Sequence, residues 1–395
     1  MRTITRYILR ELITVFTVSL IGITLVMILS LVGLEAVQKG LSLGPILQMI
    51  PYILPTALSF SIPATALFTA CLVYGRISSA NELVALKAAG VRPWLIARPI
   101  AYLAFILSLV SVMLIDVAYS WGQKGVQQVV LHQAERIVYD MLKSNRQFST
   151  PKFSIVVSNV VGRDLMNPTI TIGVDDKSPP ITVVAEKAQL TSDTKDNSLV
   201  ISLHNGEAQR GRESFTFHRR EFSQKIPLNF ALTKQQDSES PSNLAMSRIP
   251  GEIERQLIKI DLLENQAAVV AAFEMTSGDF AHSNGGGWHK IYTTLNAARQ
   301  RLYRLYAEPW RRWASGFSCL CFVSVGVPVA IWRRSSDVMM TFASVFLPII
   351  CTYFPFFMFG LQQAKNGAMP PAVVWLGNLL CLAIGSLFWK WVNRY

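Results

Sequence analysis

Side chains that commonly perform catalysis are present in this 395-residue sequence, but they are not grouped into a catalytic pattern. No HExxH zinc motif occurs, and no Gly-Lys pair exists from which a Walker A phosphate loop could be built. The five histidines are scattered along the middle of the chain, at His132, His204, His218, His282 and His289. We therefore predict a chain without catalytic residues, metal site or cofactor, and any ATP hydrolysis must come from another polypeptide.

Six apolar stretches are the elements that must position any binding residues. Five are close to the length that a helix needs to cross a hydrocarbon core of about 30 Å, and the second is too long for one upright helix. They cover residues 12–34, 41–75, 99–115, 313–332, 338–361 and 373–392. Because Pro51, Pro55 and Pro63 interrupt the second stretch, we expect a bent or re-entrant approach followed by a span that ends near Gly75.

Lysine and arginine are concentrated at one end of these spans, which predicts their orientation because basic loops are retained in the cytoplasm. The short loops on the other side hold only Lys39 and Lys365. The cytoplasmic set is Arg2, Arg6, Arg10, Arg76, Lys87, Arg92, Arg98, Arg333, Arg334, Lys390 and Arg394. Both termini are therefore predicted to be cytoplasmic. The net charge of +12 then reflects topology, and nucleic acid is not a predicted partner.

A large insert, residues 116–312, separates the spans into three and three and is predicted to lie outside the membrane. Residues 119–143 have a helical pattern, and residues 148–232 alternate apolar with polar side chains between turn residues, which indicates a β core. The spacing of the short strands is typical of a sandwich, a jelly roll or an open half-barrel. A linker and helical region, residues 235–312, follows, with a helix over 249–275 and a flexible joint over 277–288.

The loop between the second and third spans reads GRISSANELVALKAAGVRP and predicts a short helix over residues 79–90. Ser79 and Glu82 have the spacing of a capping box, Gly90 can end the helix, and Pro93 prevents it from resuming. One interpretation is a solvated connector in which Glu82 only caps. The other is a coupling helix that docks into a groove of a cytoplasmic partner through the apolar residues Leu83 and Leu86.

At these residues the chain resembles the lipopolysaccharide transport permeases LptF and LptG, the YjgP/YjgQ family. Pro63, Gly75, Glu82 and Gly90 reproduce the family spacing, and the start RYILREL fits the family's Arg-Tyr beginning. Glu308 and Pro328 stand twenty residues apart, as the corresponding pair does around the fourth span. The stretch from Gln235 to Trp288 is longer than is typical of the family and indicates an elaboration.

The resemblance implies a fold and a set of partners. The fold would be an α-helical membrane protein with transmembrane helices 1–3 in residues 1–115, a periplasmic jelly-roll-like all-β domain in residues 116–312, and helices 4–6 in residues 313–395. Two such subunits would enclose a cavity for lipopolysaccharide or a related glycolipid in the bacterial inner membrane. A cytoplasmic ABC ATPase dimer would bind the coupling helices, and an LptC/LptA-like bridge protein would receive the lipid in the periplasm.

The resemblance also implies site residues. Glu82, Leu83, Leu86 and Gly90 would form the ATPase coupling site. Lys39 lies where the family places lysines that meet lipid phosphates, although an interfacial snorkelling lysine would look the same. Guanidinium groups suit phosphate, and arginines flank the predicted outer mouth, so the expected phosphate contacts are Lys39, Arg136, Arg304 and Arg311.

Two further hypotheses remain open from the sequence. A membrane-tethered periplasmic sensor or assembly protein would have the same layout without transport. The exporter hypothesis requires a stoichiometric ATPase, whereas the sensor hypothesis does not. An ion-driven lipid flippase would be expected to bury charged groups near the middle of the membrane. The predicted spans lack central charges, with Glu35, Asp116 and Glu308 at their outer ends, so the flippase is disfavoured.

Overall fold

A computed structural model shows a mostly helical chain with an antiparallel sheet in its middle. The described residues are 2–39, 43–91, 93–132, 138–139, 141–143, 146–149, 153–172, 181–193, 198–210, 213–217, 222–227, 240–277, 287–333 and 337–394. They fall into two compact units. The helical unit contains Met1–Ile28, Leu54–Gly122 and Ser240–Tyr395, and the sheet unit contains Leu29–Ile53 and Gln123–Glu239.

Long apolar helices dominate the described part of the chain. The helices before the sheet are α1 Arg2–Lys39, α2 Leu43–Ser79, α3 Glu82–Ala88, α4 Pro93–Val117 and α5 Gln123–His132. Those after it are α6 Ile249–Ser277, α7 Gly287–Gly316, α8 Ser318–Arg333, α9 Val338–Lys365 and α10 Leu376–Arg394. Six candidate membrane spans lie in Thr5–Leu34, Ile46–Ser79, Trp94–Val126, Trp288–Arg333, Met339–Lys365 and Pro371–Val392. The six predicted apolar stretches are therefore confirmed as long helices.

The second predicted stretch differs from expectation. Residues 43 to 79 form one continuous helix that contains Pro51, Pro55 and Pro63, so the re-entrant interpretation is wrong. Proline in a helix removes one backbone hydrogen-bond donor, and its ring clashes with the carbonyl group of the preceding turn. In a bundle of apolar helices the neighbouring helices stabilise the segment, and prolines are tolerated there. Tertiary packing, which the local sequence does not show, therefore decides whether the helix continues through these prolines.

The core of the helical unit surrounds α2. Ala66 and Ala70 of α2 pack in a cluster with residues of α1, α4 and α8, whereas Leu67 and Cys71 pack in a second cluster with residues of α8, α9 and α10. Small residues allow close approach at these contacts: a Cβ added to Gly326 of α8 would lie 2.4 Å from Leu67 Cδ1 of α2. Helices α2, α8 and α10 thus contribute residues to both clusters.

Helices α6 and α7 form an antiparallel hairpin in the region that the sequence marks as an elaboration. Buried or half-buried α6 residues recur at alternating steps of four and three, which is the heptad pattern of a coiled-coil seam. This seam consists of Ile249, Ile253, Gln256, Ile260, Leu263, Ala267, Val270 and Glu274, and Glu252 and Ala271 beside it are half-buried as well. Gln256 Nε2 donates to the Ala298 carbonyl at 2.9 Å, and Trp288 Nε1 donates to Glu274 at 2.8 Å. The predicted helix over 249–275 is confirmed.

The sheet unit contains nine described strands, all paired antiparallel. They are β1 Gln147–Ser149, β2 Phe153–Val156, β3 Asn159–Val161, β4 Asp164–Met166, β5 Thr169–Ile172, β6 Ile181–Asp193, β7 Ser198–Arg210, β8 Glu213–Phe217 and β9 Phe222–Pro227. The long β6–β7 hairpin is the centre: β5 and β4 pair with successive parts of β6, and β8 and β9 pair with successive parts of β7.

The sheet core follows the alternation seen in the sequence. Side chains at the predicted inward positions are buried: Ile155, Val157, Ile170, Val183, Ile201 and Leu203. The side chains of Ile172, Phe215 and Phe217 lie outside the described set. Residues 153–161, a single alternating stretch in the sequence, form two strands, β2 and β3, separated by Val157 and Ser158. In the alternating stretch over residues 214–222, β8 and β9 cover 214–217 and 222, and residues 218–221 lie outside the described set.

Candidate functional site

The predicted functional residues that the structure describes lie at two places in the helical unit. Charged side chains meet at the ends of α4 and α7, and the predicted coupling residues lie on or beside the short helix α3. Of the predicted phosphate contacts, Arg304 is an exposed residue of α7 and Arg311 is largely enclosed on the same helix. The side chains of Lys39 and Arg136 lie outside the described set. The structure therefore describes the surroundings of two of the four predicted phosphate contacts, Arg304 and Arg311.

Arg312 of α7 is completely buried, and each of its nitrogens is engaged. Its Nη1 donates to Asp116 at the end of α4, and its Nε donates to Glu308 Oε1 at 3.3 Å. Its Nη2 donates to the backbone carbonyls of Ser242, at 3.0 Å, and Leu244, at 2.6 Å. A buried guanidinium is tolerated only with such complete pairing. Arg312 thus ties α7 to α4 and to the segment that returns from the sheet.

Asp116 joins α4 to two other segments. Its Oδ1 accepts from Arg312 and also from the backbone N–H of Met246, at 2.8 Å. Met246 begins a short 3-10 turn, Met246–Arg248, directly before α6. One carboxylate at the end of α4 therefore fixes both α7 and the start of α6.

Arg311 makes a two-point contact with Glu308, using Nε at 3.0 Å and also Nη2. Its Nη1 lies 3.5 Å from the Tyr119 hydroxyl, and its Cζ lies 4.6 Å from the centre of the Tyr119 ring. Tyr119 belongs to a π-helical turn, Ala118–Gly122, that continues α4. Because these groups occupy the guanidinium, the geometry supports an internal role for Arg311, and its contact with lipid phosphate stays a prediction.

Basic charge remains beside this network. Lys365 at the end of α9 is within electrostatic reach of Arg304, Arg311 and Glu308. The ring of Tyr303 packs over Gly367, where an added Cβ would lie 2.4 Å from Tyr303 Cε2. Glu308 forms direct ion pairs with Arg311 and Arg312 and acts on Lys365 only through its charge at longer range.

Helix α3 is shorter than predicted and is capped differently. It spans Glu82–Ala88, and Asn81 precedes it with a left-handed backbone, φ 57°, without a side-chain cap. Ser79 ends α2 and donates to the Arg76 carbonyl at 3.1 Å, so the predicted capping box with Glu82 is wrong. The chain therefore breaks between two helices here, with Asn81 in the conformation that asparagine tolerates better than most residues.

The predicted end of α3 at Gly90 is confirmed. Gly90 has φ 81°, its N–H bonds the Lys87 carbonyl at 2.9 Å, and the Val91 N–H bonds the Leu86 carbonyl at 3.0 Å. This is the Schellman pattern that favours glycine. Pro93 does not prevent a new helix, because it is the first residue of α4, a position where its missing N–H costs nothing.

The two faces of α3 have different surroundings. Leu83 is buried among core residues of the helical unit, and Leu86 packs partly against them. Lys87 Nζ lies 3.4 Å from the Val392 carbonyl of α10. Glu82, Val84, Ala85 and Ala88 are exposed. Leu83 therefore holds the helix in place and is not available as an anchor for a partner, whereas the face with Glu82 is.

The helices that carry α3 are fixed to each other. Ser78 Oγ of α2 donates to the Ile331 carbonyl of α8 at 2.8 Å, and the Tyr74 hydroxyl donates to the Ile96 carbonyl of α4 at 2.9 Å. Arg76 pairs with Glu11 of α1 at 2.5 Å. A displacement of α3 would therefore act on several helices.

Hydrolytic chemistry finds no support in the described residues. Among them, no group of three His, Cys, Asp or Glu side chains could hold a metal ion. The letters GLSLG, residues 40–44, match the GxSxG pattern of serine hydrolases. That motif places its serine on a turn from a strand into a helix, whereas Ser42 falls in the sequence between α1, which ends at Lys39, and α2, which begins at Leu43. The match is therefore by letters alone.

The six candidate spans and the paired charges at their ends define a multi-pass membrane protein. The family model described as "Lipopolysaccharide export system permease LptF/LptG" matches residues 6–391, so the chain belongs to the LptF/LptG permease family. The family resemblance drawn from Pro63, Gly75, Glu82 and Gly90 is thereby confirmed. Among curated proteins, no individual sequence matches the chain.

The sequence analysis did not predict the pairing of Arg312 with Asp116 and Glu308, although a signal for it was present. Asp116 and Glu308 were placed at the outer ends of predicted spans, and an adjacent arginine pair, Arg311 and Arg312, lies at the end of another. Opposite charges at the same predicted level of a helical protein favour pairing. What the sequence could not show is which of the two arginines is enclosed.

Proposed function

We propose that this chain is the transmembrane permease subunit of an ABC-type exporter that extracts lipopolysaccharide or a related glycolipid from the bacterial inner membrane. The observation that carries the proposal is the exposed Glu82 face of α3, held on the helical core by Leu83 in a chain of the LptF/LptG family. An ATPase dimer would bind this face from the cytoplasm. Because the sequence has no Walker A motif, ATP hydrolysis belongs to that partner.

The proposed orientation follows the basic loops. Three spans would precede and three would follow a periplasmic, jelly-roll-like domain, with both termini in the cytoplasm. Apolar side chains exposed on α1, such as Val18 and Ile21, and on α9, such as Leu347, suit contact with lipid and with a second permease subunit. The sheet would pass the lipid to an LptC/LptA-like bridge protein.

Glu82→Lys tests the proposed coupling. Reversing the charge on the face that would dock should reduce recovery of the ATPase with the chain by about tenfold or more and stop lipid export. Co-purification from membranes and an export assay provide the measurement. Lys390→Glu, a charge reversal at an exposed residue of α10, is the matched control and should leave ATPase recovery unchanged.

The outcome separates the alternatives. Normal ATPase recovery and normal export with Glu82→Lys would overturn the coupling role. If the wild-type chain recovers no ATPase at all, the membrane-tethered sensor or assembly protein becomes the better hypothesis. Loss of the ATPase with a normally folded chain supports the exporter.

We further propose that Arg304 and Lys365 contact the anionic headgroup of the lipid. Lys365 is within electrostatic range of Arg304, and Glu308 pairs directly with Arg311 and Arg312 rather than with either of these two residues. Replacing both by Gln should reduce crosslinking between this region and lipid by about tenfold, since each charge-assisted hydrogen bond contributes about 1.5–3 kcal/mol. A photoreactive residue at Tyr306, exposed nearby on α7, reports the contact. Unchanged crosslinking would contradict it.

A further inference from the structure

The last turn of α10 is contacted by a charged side chain of α3. Lys87 Nζ lies 3.4 Å from the carbonyl oxygen of Val392. Because α10 ends at Arg394, this carbonyl is among the last four of the helix, which have no partner within it. The helix dipole and the unpaired carbonyl both favour a lysine at such an end. At about 100° per residue Lys87 lies about 140° around α3 from Glu82, so the two side chains are on different sides of the helix.

Apolar contacts hold the same end of α10. Val392 is buried in the core cluster that also contains Leu83 of α3. Trp389 meets Trp94, at the start of α4, edge to face with ring centres 5.5 Å apart. The end of α10 is therefore held by α3 and by the helix that follows α3, and Lys87 supplies the polar contact.

The first turn of α10 makes a similar contact with α7. Asn378 is fully buried, and its Nδ2 donates to the Ala314 carbonyl at 2.8 Å. Because α7 ends at Gly316, this carbonyl too is among the last four of its helix. Ala314 is two residues beyond Arg312. Asn378 therefore joins α10 to the charged end of α7.

Along its length α10 is packed closely on its neighbours. A Cβ added to Gly377 would lie 3.0 Å from the Tyr353 carbonyl oxygen of α9. A Cβ added to Gly385 would lie 2.8 Å from the Ser324 carbonyl oxygen of α8. Contacts this close between helices leave little side-chain volume that could rearrange. A displacement at one end of α10 should therefore be carried to the other end.

We propose that α10 is a mechanical link that carries movement of α3 to the charged end of α7, with Lys87 and Asn378 as its positioning residues. Its two contacts, at Val392 and Asn378, are fourteen residues apart, which is about 21 Å along a helix. The inference rests on the proposed function. The ATPase acts on the Glu82 face of α3, Lys87 passes the movement to α10, and Asn378 passes it to the helix that carries Arg304.

The number of ATP molecules hydrolysed per lipid exported tests the link, in the chain reconstituted with its co-purified ATPase in vesicles that contain lipopolysaccharide. Lys87→Met removes the ammonium group and should leave ATPase recovery unchanged while raising this ratio about threefold or more. A side chain that only stabilises the fold would lower recovery, hydrolysis and export together and leave the ratio unchanged. Lys390→Met, at an exposed lysine of α10, is the matched control and should not change the ratio.

Asn378→Leu provides a second variant at the other end of α10. It removes the Nδ2 donor at similar side-chain volume and should raise the ratio by about the same factor. Substitutions more than about 10 Å apart normally act independently, so separate effects would multiply to about ninefold when Lys87→Met is added. If both residues belong to one link, the double variant should be no worse than the more affected single variant.

Spin labels measure the contact between α3 and α10 without the ATPase. Ala88→Cys and Lys390→Cys, both at exposed positions, carry the labels. The chain also carries Cys351→Ser, because Cys351 is the exposed native cysteine among the described residues. Lys87→Met should shift and widen the distribution of distances between the labels, whereas Lys87→Arg, which keeps the charge, should not. Glu82→Gln, on another side of α3, should leave the distribution unchanged.

Each opposite result overturns the proposal. An unchanged ratio with Lys87→Met would show that α3 does not act through α10. Effects that multiply in the double variant would show that the two contacts are separate. An unchanged label distance with Lys87→Met would show that Lys87 does not hold α3 on α10. A wild-type chain that recovers no ATPase would overturn the exporter proposal, whereas the spin labels would still test the link, so the two failures are distinguishable.

Discussion

Charge is arranged differently at the two ends of α4. Beyond its last turn, Arg312 is completely buried and is paired with Asp116, Glu308 and two backbone carbonyls. Before its first turn, α3 presents Glu82 to solvent and is ended by backbone hydrogen bonds at Gly90. Buried charges with complete pairing fix the position of chain segments, whereas an exposed charge on a well-fixed helix remains available to a partner. We therefore expect mutations at the first end to affect folding and at the second to affect binding.

The largest effect is expected from Arg312→Met. It leaves Asp116 without its ion-pair partner and Glu308 with Arg311 alone, and removing one partner of a buried ion pair typically costs about 3–5 kcal/mol of unfolding free energy. Thermal unfolding of the solubilised chain is the measurement. Arg304→Met, a change of the same kind at an exposed residue of the same helix, is the control and should cost less than about 0.5 kcal/mol. Similar losses from both variants would show that the pairing of Arg312 is not what fixes α7.

An intermediate effect is expected from Gly367→Ala. Both Gly367 and Gly90 have positive φ, 74° and 81°, and an alanine in that conformation costs about 1–2 kcal/mol. At Gly367 the added methyl group would also collide with the Tyr303 ring, whereas nothing lies within 4 Å at Gly90. Unfolding curves should therefore show a larger loss for Gly367→Ala than for Gly90→Ala, by about 1–3 kcal/mol.

A rescue experiment isolates the collision. In a Tyr303→Leu background the cost of Gly367→Ala should fall towards that of Gly90→Ala, because the ring is gone and only the backbone strain remains. If the difference between the two glycines persists without the ring, the close approach of Tyr303 is not its cause.

The smallest effect is expected from Ser79→Ala. Its hydroxyl bonds the Arg76 carbonyl within α2 and does not cap α3, so the loss should be below about 0.5 kcal/mol. Asp337→Ala is the positive control, since Asp337 caps α9 by accepting from the Met340 N–H at 3.2 Å, and loss of a cap costs about 1 kcal/mol. An equally large loss from Ser79→Ala in thermal unfolding would restore the capping box as the better description.

Local signals were sufficient for much of the fold. Long apolar stretches predicted the six spans, because a helix is the simplest way for such a stretch to satisfy its backbone in lipid. Alternation along the strands predicted which side chains are buried, such as Ile155 and Ile201, because strand side chains point to opposite faces in turn. Gly90 was recognised as a helix end because glycine adopts positive φ without strain. These features depend on residues close together in sequence.

Tertiary structure decided the rest, and the reason is that the deciding contacts join distant residues. Sequence by itself determined the spans, the strand faces, the family and the end of α3. It did not determine that Arg312 is enclosed by Asp116 and Glu308 while Arg304 is exposed, because the five arginines of α7 are chemically equivalent until α4 and α6 pack against them. Nor did it determine that α2 continues through three prolines, or that Leu83 packs inward, since both depend on the helices that surround them.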